Sequence, residues 1–124
     1  MIIKVRPIVK GYAEGDAIIT NQPINFLAMI DKDGIIIDKN HELYKQSIAY
    51  KILIFPNAIG SSVGAYTIYR LKRDNLAPKG IICKEADIIT ASGCAIANIP
   101  LVDKPEYSIK INGKIIINND EVII

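Results

Sequence analysis

Lys51-Ile-Leu-Ile-Phe-Pro-Asn-Ala-Ile-Gly-Ser-Ser-Val-Gly-Ala-Tyr66 is the stretch on which the reading of the fold turns. Its opening run, Lys51 to Phe55, is short, apolar and bounded by proline, the pattern of a buried strand. Pro56 and Gly60 then mark a loop, two hydroxyls follow, and Ala65, Ile68 and Leu71 recur at helical spacing. A strand, a loop and a helix in that order place Ser61 and Ser62 at a helix N-terminus. Unpaired N–H groups and the positive end of the helix dipole favour an anion or a deprotonated oxygen there. Serine is equally a preferred N-cap, and Gly64 lets a helix pack closely, so the residues alone leave capping and an anion or catalytic site both open. The loop has neither the lysine of a P-loop nor a Gly-x-Gly-x-x-Gly run, which removes the nucleotide-binding fingerprints.

Outward from this stretch the chain reads as one domain over residues 1–124, with no internal repeat and no linker-like segment. It holds 28 Ile against 6 Leu and 5 Val, and apolar content dominated by a β-branched residue favours strands. Strands are predicted at Ile2 to Val9, Ala17 to Thr20, Gly34 to Asp38, Lys51 to Phe55, Gly80 to Cys83, Ser108 to Ile111, Lys114 to Asn118 and Glu121 to Ile124. Asn112-Gly113 between two Ile-rich runs is a type I′ hairpin signal and predicts a C-terminal antiparallel ribbon. Two helices are predicted. The first, Ser62 to Asp74, has basic residues toward its end and stops at Asn75 and Pro78; the second, Asp87 to Ala97, stops at Asn98. Many strands with two helices suggest a β-rich mixed or barrel-like fold rather than a regular βαβ repeat.

Charge and titratable groups narrow the function. Fifteen basic against thirteen acidic residues, net +2, make no field that would gather nucleic acid or an anionic membrane. The start shows no basic region followed by a long apolar one, and no run reaches the length of a membrane span, so a soluble, cytoplasmic protein is expected. Cys83 and Cys94 lie eleven residues apart, which is not a metal spacing, and two thiols cannot hold a cluster alone; they read as buried free thiols. His41 lies in the polar run Asp38-Lys-Asn-His-Glu-Leu43, read as a solvent-facing loop, and offers a poor partner for a serine nucleophile. Asp31-Lys-Asp33-Gly34 lacks the later acidic ligand of a calcium loop and reads as a turn. Arg6, embedded in an early apolar segment, either pairs with a carboxylate or reaches a substrate anion.

Several motifs in fixed order give the chain a family resemblance along nearly its whole length. Arg6 is followed by Gly11-Tyr-Ala-Glu-Gly15, Pro23-Ile-Asn-Phe26 leads to Ile30-Asp31 and Gly34, and then come Lys51-Ile-Leu-Ile-Phe-Pro56, Gly60-Ser-Ser-Val-Gly64, Ala77-Pro78 and Gly93-Cys-Ala-Ile-Ala-Asn-Ile-Pro100. With these the chain resembles the small, swivel-domain subunit of the aconitase X family. The resemblance implies an α/β, β-rich swivelling domain with a barrel-like sheet core and about two helices outside. It implies a hydro-lyase shared between two chains, in archaeal relatives the dehydration of (R)-5-phosphomevalonate to trans-anhydromevalonate 5-phosphate, and in bacterial relatives a hydroxyproline dehydratase; outside the enzyme class, a ligand-binding or assembly domain is the other reading. It further implies Ser61 as the base that takes a substrate proton, Ser62 as support or cap, and Gly60, Gly64 and Arg6 as substrate-binding or supporting residues. An iron–sulfur cluster of the 4Fe-4S type is implied in a large partner subunit, with no cofactor on this chain and a hydroxy-acid substrate. The family commonly carries a basic residue just before Gly60, where this sequence has Ile59.

Overall fold

A computed structural model describes residues 1–124. Eight strands and three helices follow in the order β1 (Ile2–Lys4), β2 (Arg6–Val9), β3 (Tyr12–Ile19), α1 (Phe26–Met29), β4 (Ile52–Phe55), α2 (Gly64–Arg73), β5 (Gly80–Cys83), α3 (Ile88–Ala97), β6 (Leu101–Asp103), β7 (Lys114–Asn118) and β8 (Glu121–Ile123). They form one sheet in the order β1-β8-β7-β3-β4-β5-β6-β2. The four central strands β3 to β6 run parallel, and antiparallel strands flank them on both sides. The edge strands β1 and β2 are joined through Val5 alone, so the sheet curls until its edges are chain neighbours without a ladder closing them into a barrel.

Strand alternation sorts the side chains into two cores. Leu53 and Phe55, Ile81 and Cys83, and Leu101 face the helices and join a core with Ile68 and Leu71 of α2 and Cys94 and Ala97 of α3. Ile52, Ile82 and Val102 face inward and meet Ile115, Ile117, Val122 and Ile3 inside the curl. Each fully buried isoleucine contributes about 1.5–3 kcal/mol relative to exposure. A chain with so many of them can fill both faces of four parallel strands, which is why the strands read as continuous apolar runs.

Several expectations are corrected here. The run β4-α2-β5-α3-β6 is two successive βαβ units, more regular than composition suggests. A third, short helix, α1, joins the two that are predicted. Gly34 to Asp38 forms only isolated bridges, Ile30 with Ile36 and Ile35 with Ser47. Ser108 to Ile111 pairs with nothing; Ile109 is buried while Ile111 is half exposed, so the segment lacks the second inward residue that would hold it in a ladder. The C-terminal ribbon is β7 with β8, turned at Asn119-Asp120 with Asn119 at φ 54°, rather than at Asn112-Gly113. The long β3 begins at Tyr12, five residues earlier than the run Ala17 to Thr20, because β7 pairs along Glu14, Gly15 and Asp16 despite their polarity. Ile2 to Val9 is split at Val5, and Leu101 to Asp103 adds a strand. Both main helices fall where expected, with Asn98 closing α3 in the left-handed conformation at φ 55°.

Candidate functional site

The carboxyl ends of β3 to β6 lie along one edge of the sheet, the edge where ligands meet parallel strands. Pro56 to Val63 leaves β4 there and crosses to α2. Three contacts pin this loop. Ile24 and Ala58 form a parallel bridge, and the Ile59 N–H donates to the Ile24 carbonyl at 3.0 Å. The Ala58 N–H donates to Asp87 Oδ1 at 2.7 Å, while Asp87 Oδ2 accepts the Thr90 N–H at 2.9 Å and so caps α3. Gly60, at φ 94°, lies against Asn25, and a Cβ there would overlap the Asn25 amide. Asn25 in turn caps α1, its Oδ1 accepting the Ala28 N–H at 3.0 Å. Gly64 lies where a Cβ would approach Ile89 Cγ2 to 3.2 Å and Phe26 Cβ to 3.4 Å, so its bare backbone lets three helices meet beneath the loop.

Ser61 and Ser62 are both exposed at the tip. Ser61 Oγ accepts the Val63 N–H at 3.1 Å, and the Ser61 carbonyl accepts the Gly64 N–H at 2.9 Å. Ser61 Oγ thus closes a turn ahead of the helix, whose N-cap, Val63, has no side-chain cap bond, and the Ser62 hydroxyl makes no side-chain bond in the chain. An N–H donated to a serine oxygen favours its deprotonated form. The first N–H groups of the helix are otherwise engaged: Ala65 bonds to the Ser62 carbonyl at 3.1 Å and Tyr66 to the Val63 carbonyl at 3.0 Å. The donors without a partner at this tip are the N–H groups of Gly60, Ser61 and Ser62, which lie ahead of the helix.

Arg6 is held elsewhere. Its Nε donates to Asp103 Oδ1 at 2.8 Å and its Nη2 to Asp103 Oδ2 at 2.7 Å, and Oδ2 also accepts the Ala86 N–H at 2.8 Å. Asp103 is fully buried. Burial alone would raise its carboxyl, but the hydrogen bonds from Arg6 and Ala86 outweigh this and hold it below the usual carboxylate range. Of the two tasks open to Arg6, the structure shows carboxylate pairing. Its strand β2 lies beyond β5 and β6 from β4, three ladder steps or about 14 Å at the usual strand spacing.

His41 is buried, contrary to a solvent-facing reading. Its Nδ1 accepts the Leu43 N–H at 3.1 Å and its Nε2 lies 3.3 Å from the Pro23 carbonyl, a pairing that assigns the proton to Nε2. Both nitrogens serve backbone, so no Ser-His dyad forms. Asp31 Oδ1 accepts the N–H groups of Asp33 and Ile35 and closes the expected turn. Cys83 and Cys94 are buried free thiols; burial pushes Cys94 up to about 12 and Cys83 higher still. No three His, Cys, Asp or Glu side chains gather to hold a metal ion, and two neutral core thiols do not fit an iron–sulfur cluster. No helix is long and apolar enough to cross a membrane.

Asn25 and Asp87 position the loop, and sequence reasoning does not single them out. Each carries a local N-cap signal, but the Asp87 bond to Ala58 and the packing of Asn25 against Gly60 are long-range contacts that no local pattern encodes. Around the loop, Leu27, Ile59, Val63, Tyr66 and Ile88 are large and exposed, Ile88 at 78%. They frame the serine tip with an apolar collar of the kind that marks an interaction surface.

Comparison with known proteins agrees with this arrangement. The family model described as the aconitase X swivel domain matches residues 2–124. The phosphomevalonate dehydratase small subunit of Thermococcus kodakarensis is 48% identical over 109 residues, covering 87% of this chain and 82% of that one. The protein of the same name from Methanocaldococcus jannaschii is 42% identical and covers 100% and 96% of the two chains. The crystal structure of Thermococcus kodakaraensis aconitase X in its holo-form superposes with a TM-score of 0.93 at 43% identity, covering 98% of this chain and 96% of that one.

Proposed function

The chain belongs to the aconitase X swivel-domain family, and from that premise we propose that it is the small subunit of a two-chain dehydratase acting on (R)-5-phosphomevalonate, with Ser61 as the proton acceptor. The product is trans-anhydromevalonate 5-phosphate and water: a proton leaves the carbon beside the carboxylate, and hydroxide leaves the neighbouring carbon as the double bond forms. The substrate comes from the names of relatives more than 40% identical over nearly the whole chain. The chemistry rests on one observation, the exposed Ser61 Oγ holding the Val63 N–H at the carboxyl edge of the sheet.

Energetics assign this chain half of the work. Each unit by which the serine pKa falls needs about 1.4 kcal/mol of extra stabilisation of the alkoxide. One backbone N–H and a helix terminus supply roughly 1–2 kcal/mol. A serine hydroxyl ionises far above neutrality, so further donors or cations must come from a facing chain, and the small subunit alone is catalytically silent. The apolar collar around the tip is the surface on which the large subunit would close. The cluster implied by the family would be held by that partner and would supply the Lewis acid for the departing hydroxyl, which is compatible with the lack of a ligand set in this chain. Such an enzyme works in the cytoplasm on a phosphorylated hydroxy acid.

The test is anaerobic co-expression with the large aconitase X-type chain of the same genome, followed by assays with 5-phosphomevalonate and with hydroxyproline. A co-purifying pair that dehydrates only the former supports the reading; a pair that acts only on hydroxyproline overturns the substrate.

A further inference from the structure

The loop that carries Ser61 has no cation, since Ile59 stands before Gly60, and its helix N–H groups are engaged from Val63 to Thr67. A phosphate of charge near −2 needs another seat. We propose that the cavity between Lys84 and Lys104, on the inner face of the same sheet edge, binds the phosphate monoester of the substrate; this rests on the phosphorylated substrate proposed above.

The cavity measures about 440 Å³, the size of a small-molecule site. β5 and β6 end side by side, Cys83 opposite Asp103, and the next residues are the two lysines. The Lys104 N–H donates to the Lys84 carbonyl at 3.0 Å, which ties the two chain ends together. By strand alternation Lys84 continues the face of Ile82, the inner one. Lys104 takes φ 50°, a left-handed conformation that a non-glycine residue adopts at a cost, and from it the chain bends through Pro105 to bring Ser108 and Ile109 to the cavity wall.

The charged residues that line the cavity are both basic. No carboxylate lines the cavity, and neither lysine has an ion-pair partner. The nearby acids are hydrogen-bonded, Glu42 to the wall residues Thr20 and Asn21 at the cavity rim. Glu106 accepts the Lys4 N–H at 3.5 Å, and Asp103 is held by Arg6. Two unpaired ammonium groups above Ile54, Ile82 and Ile109 match a dianion on a short apolar chain. Pro56, which lines the cavity, begins the loop that ends at Ser61, so both features stand on the carboxyl end of β4. Ser61 lies five residues along the chain from this wall residue.

Two measurements decide this. In the first, the full chain is titrated with inorganic phosphate while backbone amide resonances are recorded. Saturable shifts confined to Lys84, Lys104 and Ser108, absent in the K84Q/K104Q double variant, support the site; shifts spread over the surface, or unchanged in that variant, overturn it. This arm needs neither partner nor turnover. In the second, the complex with the large subunit is assayed with 5-phosphomevalonate. Each single glutamine variant raises KM by about 10-fold and the double variant by about 100-fold, with the loss in KM rather than kcat, and K84R/K104R restores most of it. Unchanged KM in an active complex overturns the phosphate seat and leaves the dehydratase reading intact. A wild-type complex inert toward 5-phosphomevalonate fails that reading instead, and the titration still judges the cavity.

Discussion

The Asn25 side-chain amide occupies the space that a Cβ on Gly60 would need. A cap residue of one helix thus sets the course of the loop that carries the candidate base. The link runs from sequence to site through packing, because Asn25 is held by its bond to the Ala28 N–H.

Gly60→Ala should lower stability by at least about 1 kcal/mol, since alanine disfavours φ 94° and also meets Asn25. Asn25→Ala removes a helix cap and costs about 0.5–2 kcal/mol. The double variant should lose less than the two losses combined, because Asn25→Ala opens the space that the added methyl group needs. Denaturant midpoints of the four proteins check this; strict additivity would show that the two residues do not share the contact.

Arg6 and Asp103 make stability depend on pH in a stated direction. The folded Asp103 carboxyl sits below its unfolded value of about 3.9, so its contribution is present above that pH and is lost as pH falls through the folded value. In Arg6→Gln the buried carboxylate keeps only the Ala86 N–H, its pKa rises, and the variant gains relative to wild type as pH falls. The gap in Tm between the two proteins should be widest near neutrality and narrow below about pH 4. A gap that stays constant from about pH 7 down to about pH 3 would contradict the pairing account.

Cys94, with its thiol pushed up to about 12 and no exposed surface, should resist maleimide at about pH 8 in the native chain and react at once in denaturant. Cys83 should behave alike. Rapid labelling of the folded chain would place the thiols outside the core.

What the sequence makes legible follows from the range of the interactions involved. Helices α2 and α3 are readable because their stops, Asn75 and Asn98, are local backbone events at φ 60° and 55°. The serine tip is readable because strand, loop and helix are contiguous. The hairpin at Asn112-Gly113 misleads because turn chemistry alone does not secure a ladder; Lys114 to Ile117 pairs better with the distant Ala13 to Asp16, burying Ile115 and Ile117 completely. His41 looks polar by its neighbours, yet the fold turns its ring inward to serve two backbone groups. Asp87 reaches the loop across 29 residues of chain, Asn25 does so from the far side of β4, and Lys84 and Lys104 meet only where two strands end. No local pattern carries that information.

The central claim is that Ser61 takes the substrate proton in a site completed by a second chain. Its most direct test is Ser61→Ala in the reconstituted complex, assayed anaerobically with 5-phosphomevalonate alongside Ser62→Ala. The account predicts that Ser61→Ala folds, binds the large subunit and loses at least about 100-fold in kcat, whereas Ser62→Ala loses far less. Full turnover by the Ser61→Ala complex would contradict it.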